Sequence, residues 1–317
     1  MADTRDGAAM ALAVEGRGLT YRYRGGGGIS AIDLFVPRGA VYALLGANGS
    51  GKTTTIRLLL GLLRPQAGTL RVLGHPDPAR SGAGRRAVGA LVEAPSLYPH
   101  LSGRRNLEVT ARLLGVSRSK VDQVMAEVGL DGRDRDRKAR DYSLGMKQRL
   151  GLAFALVGDP ELLVLDEPGN GLDPAGMVQM RHMVAALARE RGITVLLSSH
   201  LLGEVEHLAT HVGIIESGGL RYQGRLGDLV PASGGQLEIA SAEPALALAR
   251  LGELAIPASA AGAGLIHIEL PVDGCSDQVD RELLLRLVEA GVPFHAFHRR
   301  RVSLESRYFA LTGREGE

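Results

Sequence analysis

Gly46-Ala47-Asn48-Gly49-Ser50-Gly51-Lys52-Thr53 lies between a short apolar run, Val41-Tyr42-Ala43-Leu44-Leu45, and a segment from Thr54 to Gly61 that carries Ile56, Leu59 and Leu60 at helical spacing. Read in order this is a buried strand, a G-x-x-x-x-G-K-T loop and a helix, the context in which such a loop holds phosphate. The glycines let backbone N–H groups turn inward and the helix N-terminus adds positive field. Lys52 can reach β- and γ-phosphates, and Thr53 can offer its hydroxyl to a divalent cation. The stretch reads as a triphosphate cradle and predicts a nucleotide-binding α/β domain.

Bulk composition narrows the classes around that loop. A chain of 317 residues, 45% of them hydrophobic, supports a substantial core and predicts more than one domain. It contains no run of 18 uncharged apolar residues, so no membrane span is expected. Met1 to Met10 carry charges without a following apolar core and read, with residue 11, as a disordered tail rather than a signal peptide, which makes the cytoplasm the expected location. Cys275 is the only cysteine, which excludes an internal disulfide and a cysteine metal cluster. Lys and Arg total 37 against 35 Asp and Glu, a net charge of +2 with the signs mixed, so no nucleic-acid partner is expected.

Upstream of the loop, Leu12 to Tyr23 is strand-like and breaks at Gly25 to Gly28, and Ile29 to Val36 forms a second strand closed by Pro37-Arg38-Gly39. Downstream, Gly68 to Val72 and Val88 to Val92 are strand-like. A helical insert follows, with Ser102 capping a helix that bears Leu107, Ala111 and Leu114, and Ser117 capping one that bears Val121, Val124 and Val128. The alternating charges from Arg133 to Lys138 read as a solvated loop. Tyr142 to Arg149 then leads into a helix with Leu150, Ala153, Phe154 and Val157. Leu162 to Leu165 is an apolar strand that stops at Asp166-Glu167, where open α/β sheets place their chemistry. A helix from Met177 to Arg191 precedes a strand, Ile193 to Leu197, that ends in Ser198-Ser199-His200. Leu201 to Leu208 reads as a helix, and Val212 to Ile215 with Leu220 to Tyr222 as a hairpin. His207 and His211 are four apart on a helix-like run but lack a third ligand, so they are not read as a metal site.

Beyond a linker at Ser233-Gly234-Gly235, strands at Gln236 to Ala240, Leu265 to Leu270 and Val292 to Phe297 alternate with helices at Ala245 to Leu254, Val279 to Ala290 and Leu304 to Leu311. This α+β unit, residues 236–317, carries no chemical motif and reads as a packing or regulatory appendage.

The order of phosphate loop, Tyr142 to Arg149, Asp166-Glu167, Asn170-Gly171-Leu172-Asp173 and His200 resembles the nucleotide-binding subunit of ATP-binding cassette (ABC) transporters. The resemblance implies a P-loop NTPase cassette over residues 12–230, with an antiparallel β subdomain and a helical subdomain at about 95–145. It assigns ATP and Mg²⁺ as cofactors. Gly46, Asn48, Gly49, Ser50, Gly51, Lys52, Thr53 and Thr54 would hold the phosphates, and Tyr23, with Tyr21 as the competing choice, would stack on adenine. Asp166 matches the carboxylate that holds Mg²⁺ through water, Glu167 the general base, and His200 the switch histidine at the γ-phosphate. Asp173 matches the loop that lines a dimer seam.

Ser143 and Gly145 match the signature usually written L-S-G-G-Q, here Tyr142-Ser143-Leu144-Gly145-Met146, which in the family faces ATP held by the other subunit. The variant Y-S-L-G-M-K-Q-R is similar to that of bacterial exporters of drugs and peptide antibiotics, the bacitracin-resistance type among them. Glu93 stands where most of the family has a glutamine that touches Mg²⁺, and adds charge beside Asp166 and Glu167. The resemblance implies a second copy or a paralogous cassette as partner, and a separately encoded integral membrane permease docking near Glu93 to Leu114. The chain would then sit peripherally on the inner face of the cell membrane. A soluble ABC ATPase acting on nucleic acid or ribosomes is the second reading, but the coiled coils, tandem cassettes or zinc modules of such proteins are not visible in this sequence.

Overall fold

In the computed structural model the described residues are 11–76, 86–92, 95–230, 235–269, 277–301 and 303–313. Met1 to Met10, Glu93, Ser233, Gly234 and Cys275 lie outside them. The chain divides into two compact units between Arg225 and Leu226. The helical turn Leu226–Leu229 belongs to the second unit, close to the expected end of the cassette at 230.

The first unit starts with β1 (Leu12–Arg22) and β2 (Gly28–Pro37), which pair antiparallel. β4 (Ala67–Val72) adds to the other side of β1, and the short β5 (His75–Pro76) closes a four-stranded sheet in the order β2-β1-β4-β5. A second sheet is built from β3 (Val41–Leu45), β6 (Val88–Leu91), β7 (Leu162–Asp166), β8 (Thr194–Ser199), β9 (His211–Glu216) and β10 (Gly219–Arg225). Its strand order is β10-β9-β3-β8-β7-β6. β6, β7, β8, β3 and β9 run parallel, and only β10 is antiparallel. Every residue of β3 is buried, as a central parallel strand covered on both faces requires.

Helix α1 (Lys52–Leu59) joins the two sheets. Its Ile56 and Leu59 share one core with Leu34 and Val36 of β2, Tyr42 and Leu44 of β3, and Leu162 and Val164 of β7. Gln223 of β10 adds a polar tie, its Oε1 accepting from the Phe35 N–H at 2.7 Å and from Tyr42 Oη at 3.1 Å.

The helical part contains α2 (Gly103–Leu114), α3 (Arg118–Glu127), α4 (Gly132–Asp136), a 3₁₀ turn at Ala139–Asp141, and α5 (Leu144–Leu156). Ser102 and Ser117 cap α2 and α3 with their side chains, as expected. Leu107, Ala111, Val121, Val124 and Val128 are all buried. The charge run is not wholly loop: Gly132 to Asp136 makes one helical turn with no fully buried residue, and its Asp134 and Arg135 are half-buried. Gly151 of α5 faces the chain around the end of β6, since a Cβ there would lie 2.8 Å from Leu91 Cδ1 and 3.2 Å from Pro95 Cγ. Helices α6 (Pro174–Arg191) and α7 (Leu202–Glu206) complete the unit.

The second unit holds α8 (Leu226–Leu229), β11 (Gly235–Ala240), α9 (Pro244–Glu253), β12 (Ala258–Gly262), β13 (Leu265–Glu269), α10 (Asp277–Glu289), β14 (Ala296–Arg301) and α11 (Leu304–Thr312). Its sheet is antiparallel in the order β12-β13-β11-β14. Leu237, Ile239, Ile266 and Ile268 pack with Ala247, Leu251 and Leu287 into a core of its own. Three sequence readings need correction here. Gly235, read as linker, begins β11. β12 was missed because Ala258 to Gly262 has little strand propensity, and it is held by pairing with β13 across a turn in which Gly262, Ala263 and Gly264 all have positive φ. β14 starts at Ala296 rather than Val292, because Pro293 has no N–H to give a ladder.

Candidate active site

β8 lies between β3 and β7, and the register places Leu45 opposite Ser199 and Asp166 opposite Ser198. The C-terminal ends of three parallel strands are thereby brought level, although they are far apart in sequence. The phosphate loop leaves β3, Asp166 and Glu167 leave β7, and His200 leaves β8 at this one edge.

The loop is shaped by close approach. A Cβ on Gly46 would lie 2.4 Å from the Ile215 carbonyl oxygen and 2.5 Å from Ser50 Oγ. Gly51 has φ of 116°, and a Cβ there would lie 2.7 Å from Ile29 Cγ2. The β9–β10 turn braces it: the Gly218 N–H donates to Ser50 O at 2.9 Å, and Gly218 O accepts from the Ser30 N–H at 2.8 Å. Ser50 Oγ is buried with no hydrogen-bond partner, an acceptor and donor held ready inside the loop. Asn48 is exposed, Gly49 has φ of 78° with no atom within 4 Å of a Cβ position, and Thr54 is buried in α1. This is a cradle whose backbone lies open to a ligand.

Lys52 is 5% exposed, and its Nζ donates to Gly46 O at 2.6 Å. The same Nζ lies 3.2 Å from Glu167 Oε1. That contact is an ion pair by distance but is too poorly aligned to be a hydrogen bond, and Oε1 is otherwise buried without a partner. Glu167 Oε2 lies 2.7 Å from His200 Nδ1. Glu167 also has φ of 49°, unusual for a residue with a side chain, which turns its carboxylate toward the lysine and the histidine. Thr53 Oγ1 donates to Asp166 Oδ2 at 3.1 Å. A hydroxyl and a carboxylate in contact are hard oxygen donors of the kind Mg²⁺ takes while keeping part of its water, so the residues present fit that ion.

Ser198 was not singled out by sequence, yet it ties this edge together. It is fully buried, donates through Oγ to Asp166 Oδ1 at 2.5 Å and accepts from the Glu167 N–H at 2.9 Å. The only available signal was a serine pair ending an apolar strand.

Ser143, Gly145 and Asp173 are placed elsewhere in the unit. Ser143 caps α5, accepting from the Met146 N–H at 3.2 Å, and Asp173 caps α6, accepting from the Gly176 N–H at 2.9 Å. With Gly145 they line a shared groove that contains no phosphate-loop residue. Tyr23 sits just past β1 with its ring centroid 4.9 Å from that of Tyr21, edge to face. Tyr21 packs against the core, which leaves Tyr23 as the freer ring. Glu93 lies outside the described residues. His207 follows the last residue of α7 while His211 begins β9, so the two do not share a helix, and among the described residues no three or more His, Cys, Asp or Glu side chains gather as a metal-holding group. No helix among the described residues is long and apolar enough to cross a membrane.

The ABC transporter family model matches residues 29–170. The bacitracin transport ATP-binding protein BcrA of Bacillus licheniformis is 42% identical over 212 residues, covering 67% of this chain and 69% of that protein. The daunorubicin/doxorubicin resistance ATP-binding protein DrrA of Streptomyces peucetius is 35% identical over 315 residues, covering 95% of this chain and 92% of its own. Among solved structures, cbiO1 of Clostridium perfringens, part of the ABC transporter complex cbiONQ, superposes with a TM-score of 0.63 at 27% identity, covering 69% of this chain and 90% of cbiO1. The order of motifs, the strand-end cluster and these likenesses agree: the chain belongs to the ATP-binding, ATP-hydrolysing subunits of the ABC transporter family.

Proposed function

We propose that this ATPase powers export of a drug or peptide antibiotic, working as a pair of cassettes on the inner face of the membrane beneath a separately encoded permease. The observation that carries the reading is the meeting of Lys52, Thr53, Asp166, Glu167 and His200 at one edge of the sheet, with Ser143 on a groove apart from it. One chain then supplies a phosphate cradle, a pair of oxygen ligands for a cation and a base, and offers Ser143 and Gly145 to ATP held by the other. Asp173, in the same groove, lies along the seam.

Gly46 to Thr54 bind the phosphates through backbone N–H groups, and Lys52 leaves Gly46 O and Glu167 to meet them. Thr53 and Asp166 would hold Mg²⁺, which would supply positive charge against the phosphates. Freed from Lys52, Glu167 accepts a proton from water as its oxygen bonds to the γ-phosphorus and the bond to the β–γ bridging oxygen breaks, giving ADP and phosphate. His200 holds Glu167 through Nδ1, leaving Nε2 to face the γ-phosphate. Tyr23 stacks on the adenine. Glu93 would add a third carboxylate near the cation.

Export is supported by the resistance relative, whose match runs through the second unit as well as the cassette. Glu167→Gln is expected to accumulate an ATP-bound dimer, read by sedimentation velocity, with hydrolysis reduced at least about 10²-fold as for loss of a general base. Undiminished steady-state hydrolysis in that variant would remove Glu167 as the base.

A further inference from the structure

Tyr142 stands immediately before Ser143, where the usual signature has leucine. Its side chain is 4% exposed, and its Oη donates to the Asp134 carbonyl at 2.6 Å. The phenol is seated over Gly103, the first residue of α2, where a Cβ would lie 2.0 Å from Oη and 2.8 Å from Cζ. Glycine is required there by the ring, since φ of Gly103 is not in the left-handed region.

The two segments around this contact are bonded to each other along their length. The Gly103 N–H donates to Arg137 O at 3.2 Å, Ala139 N–H to Leu101 O at 2.9 Å and Arg140 N–H to Pro99 O at 3.1 Å. Asn106, 1% exposed, accepts from the Tyr98 N–H and donates to the carbonyls of Tyr98, Leu101 and Ser102. Tyr142 Oη extends this frame to the turn that contains Asp134, and one residue later Ser143 caps α5.

We propose that Tyr142 is a positioning residue for the signature: its bond to Asp134, seated over Gly103, sets the angle at which the chain enters α5 and so the direction of Ser143 Oγ. A leucine has no hydroxyl to make that bond and is too short to reach Asp134. This rests on the reading of Ser143 as a contact to the other subunit's ATP. It makes closure of the pair depend on a hydrogen bond remote from either phosphate cradle.

The test uses the full chain in a Glu167→Gln background and reads two quantities, ATP affinity of the monomer and the ATP concentration at half-maximal dimerisation. Tyr142→Phe keeps the ring and loses the bond, and is expected to raise the second about fivefold, the scale of one hydrogen bond, while leaving the first within about twofold. Gly103→Ala presses a methyl on Oη and is expected to act likewise. The double variant Gly103→Ala/Tyr142→Phe should show about the same shift as Tyr142→Phe alone rather than the product of the two, because the bond that Gly103→Ala disturbs is already gone and the closest contact with it. Loss of monomer affinity in parallel with dimerisation in Tyr142→Phe means a merely structural role and overturns the proposal. Ser143→Arg separates the two readings. If it leaves dimerisation intact, the role of Ser143 falls. If it abolishes dimerisation while Tyr142→Phe changes nothing, only the role of Tyr142 falls.

Discussion

Ser198 Oγ donates to Asp166 Oδ1 at 2.5 Å across the 32 residues that separate them, and the Glu167 N–H donates to that same hydroxyl at 2.9 Å. One buried hydroxyl therefore holds the Asp166 carboxylate and the Glu167 backbone at the end of β7. It leaves Asp166 Oδ2 for Thr53, while Glu167, held by its N–H, meets Lys52 and His200 through its side chain.

Ser198→Ala removes that tie and leaves a backbone N–H without its partner inside the protein. A loss of about 1–3 kcal/mol in stability is expected by urea unfolding, the cost of an orphaned buried group. Hydrolysis should fall about tenfold, and the Mg²⁺ concentration for half-maximal activity should rise, because Asp166 is no longer held in place. Unchanged Mg²⁺ dependence would mean that Asp166 keeps its geometry without Ser198.

The motifs were legible as strings because each is local: a glycine loop before a helix, carboxylates ending an apolar run, a serine before an apolar period. What brings them together was not legible, since it depends on β8 entering between β3 and β7, an order unrelated to the order in the chain. Ser198 escaped for the same reason, because its meaning lies across the sheet at Asp166. Tyr21 and Tyr23 were equivalent as letters and differ only in whether the core reaches them. The charges at 132–136 hid a helical turn whose carbonyl, and not its side chains, meets Tyr142. β12 shows the opposite error: its three alanines and one glycine have no strand preference, and pairing alone makes the strand.

Burial, reinforced by the nearby Asp134 carboxylate, pushes the Tyr142 phenol from 10.0 up to about 12. The folded state thus prefers the protonated phenol more than the unfolded chain does. Its contribution is complete below about pH 10 and is lost as pH rises from about 10 through about 12. Tyr142→Phe should flatten the fall of unfolding free energy across that window by up to one proton's worth, with the remaining slope including that of Tyr42, whose phenol is also pushed up by burial. Equal slopes in the two proteins would show that Tyr142 titrates as an exposed phenol.

Gly49 and Gly51 sit two residues apart in the phosphate loop and should respond differently to the same methyl group. Gly49 has φ of 78° with open space around a Cβ position, so Gly49→Ala meets only the backbone penalty of the left-handed region, about 1–2 kcal/mol. Gly51 has φ of 116°, beyond that region, and its Cβ would lie 2.7 Å from Ile29 Cγ2, 3.0 Å from Ile215 Cδ1 and 3.2 Å from Gly28 O. Gly51→Ala therefore adds overpacking of about 1–3 kcal/mol to a larger backbone strain. Relief would require β2 or β9 to move, and β9 leads into the turn that holds Ser50. Denaturant unfolding of the two variants should rank Gly51→Ala as the more damaging by at least about 1 kcal/mol. ATP affinity should fall further in it as well, because the start of α1 shifts with the loop. Equal losses in the two variants would mean that the glycine at 51 serves only to give the chain a positive φ.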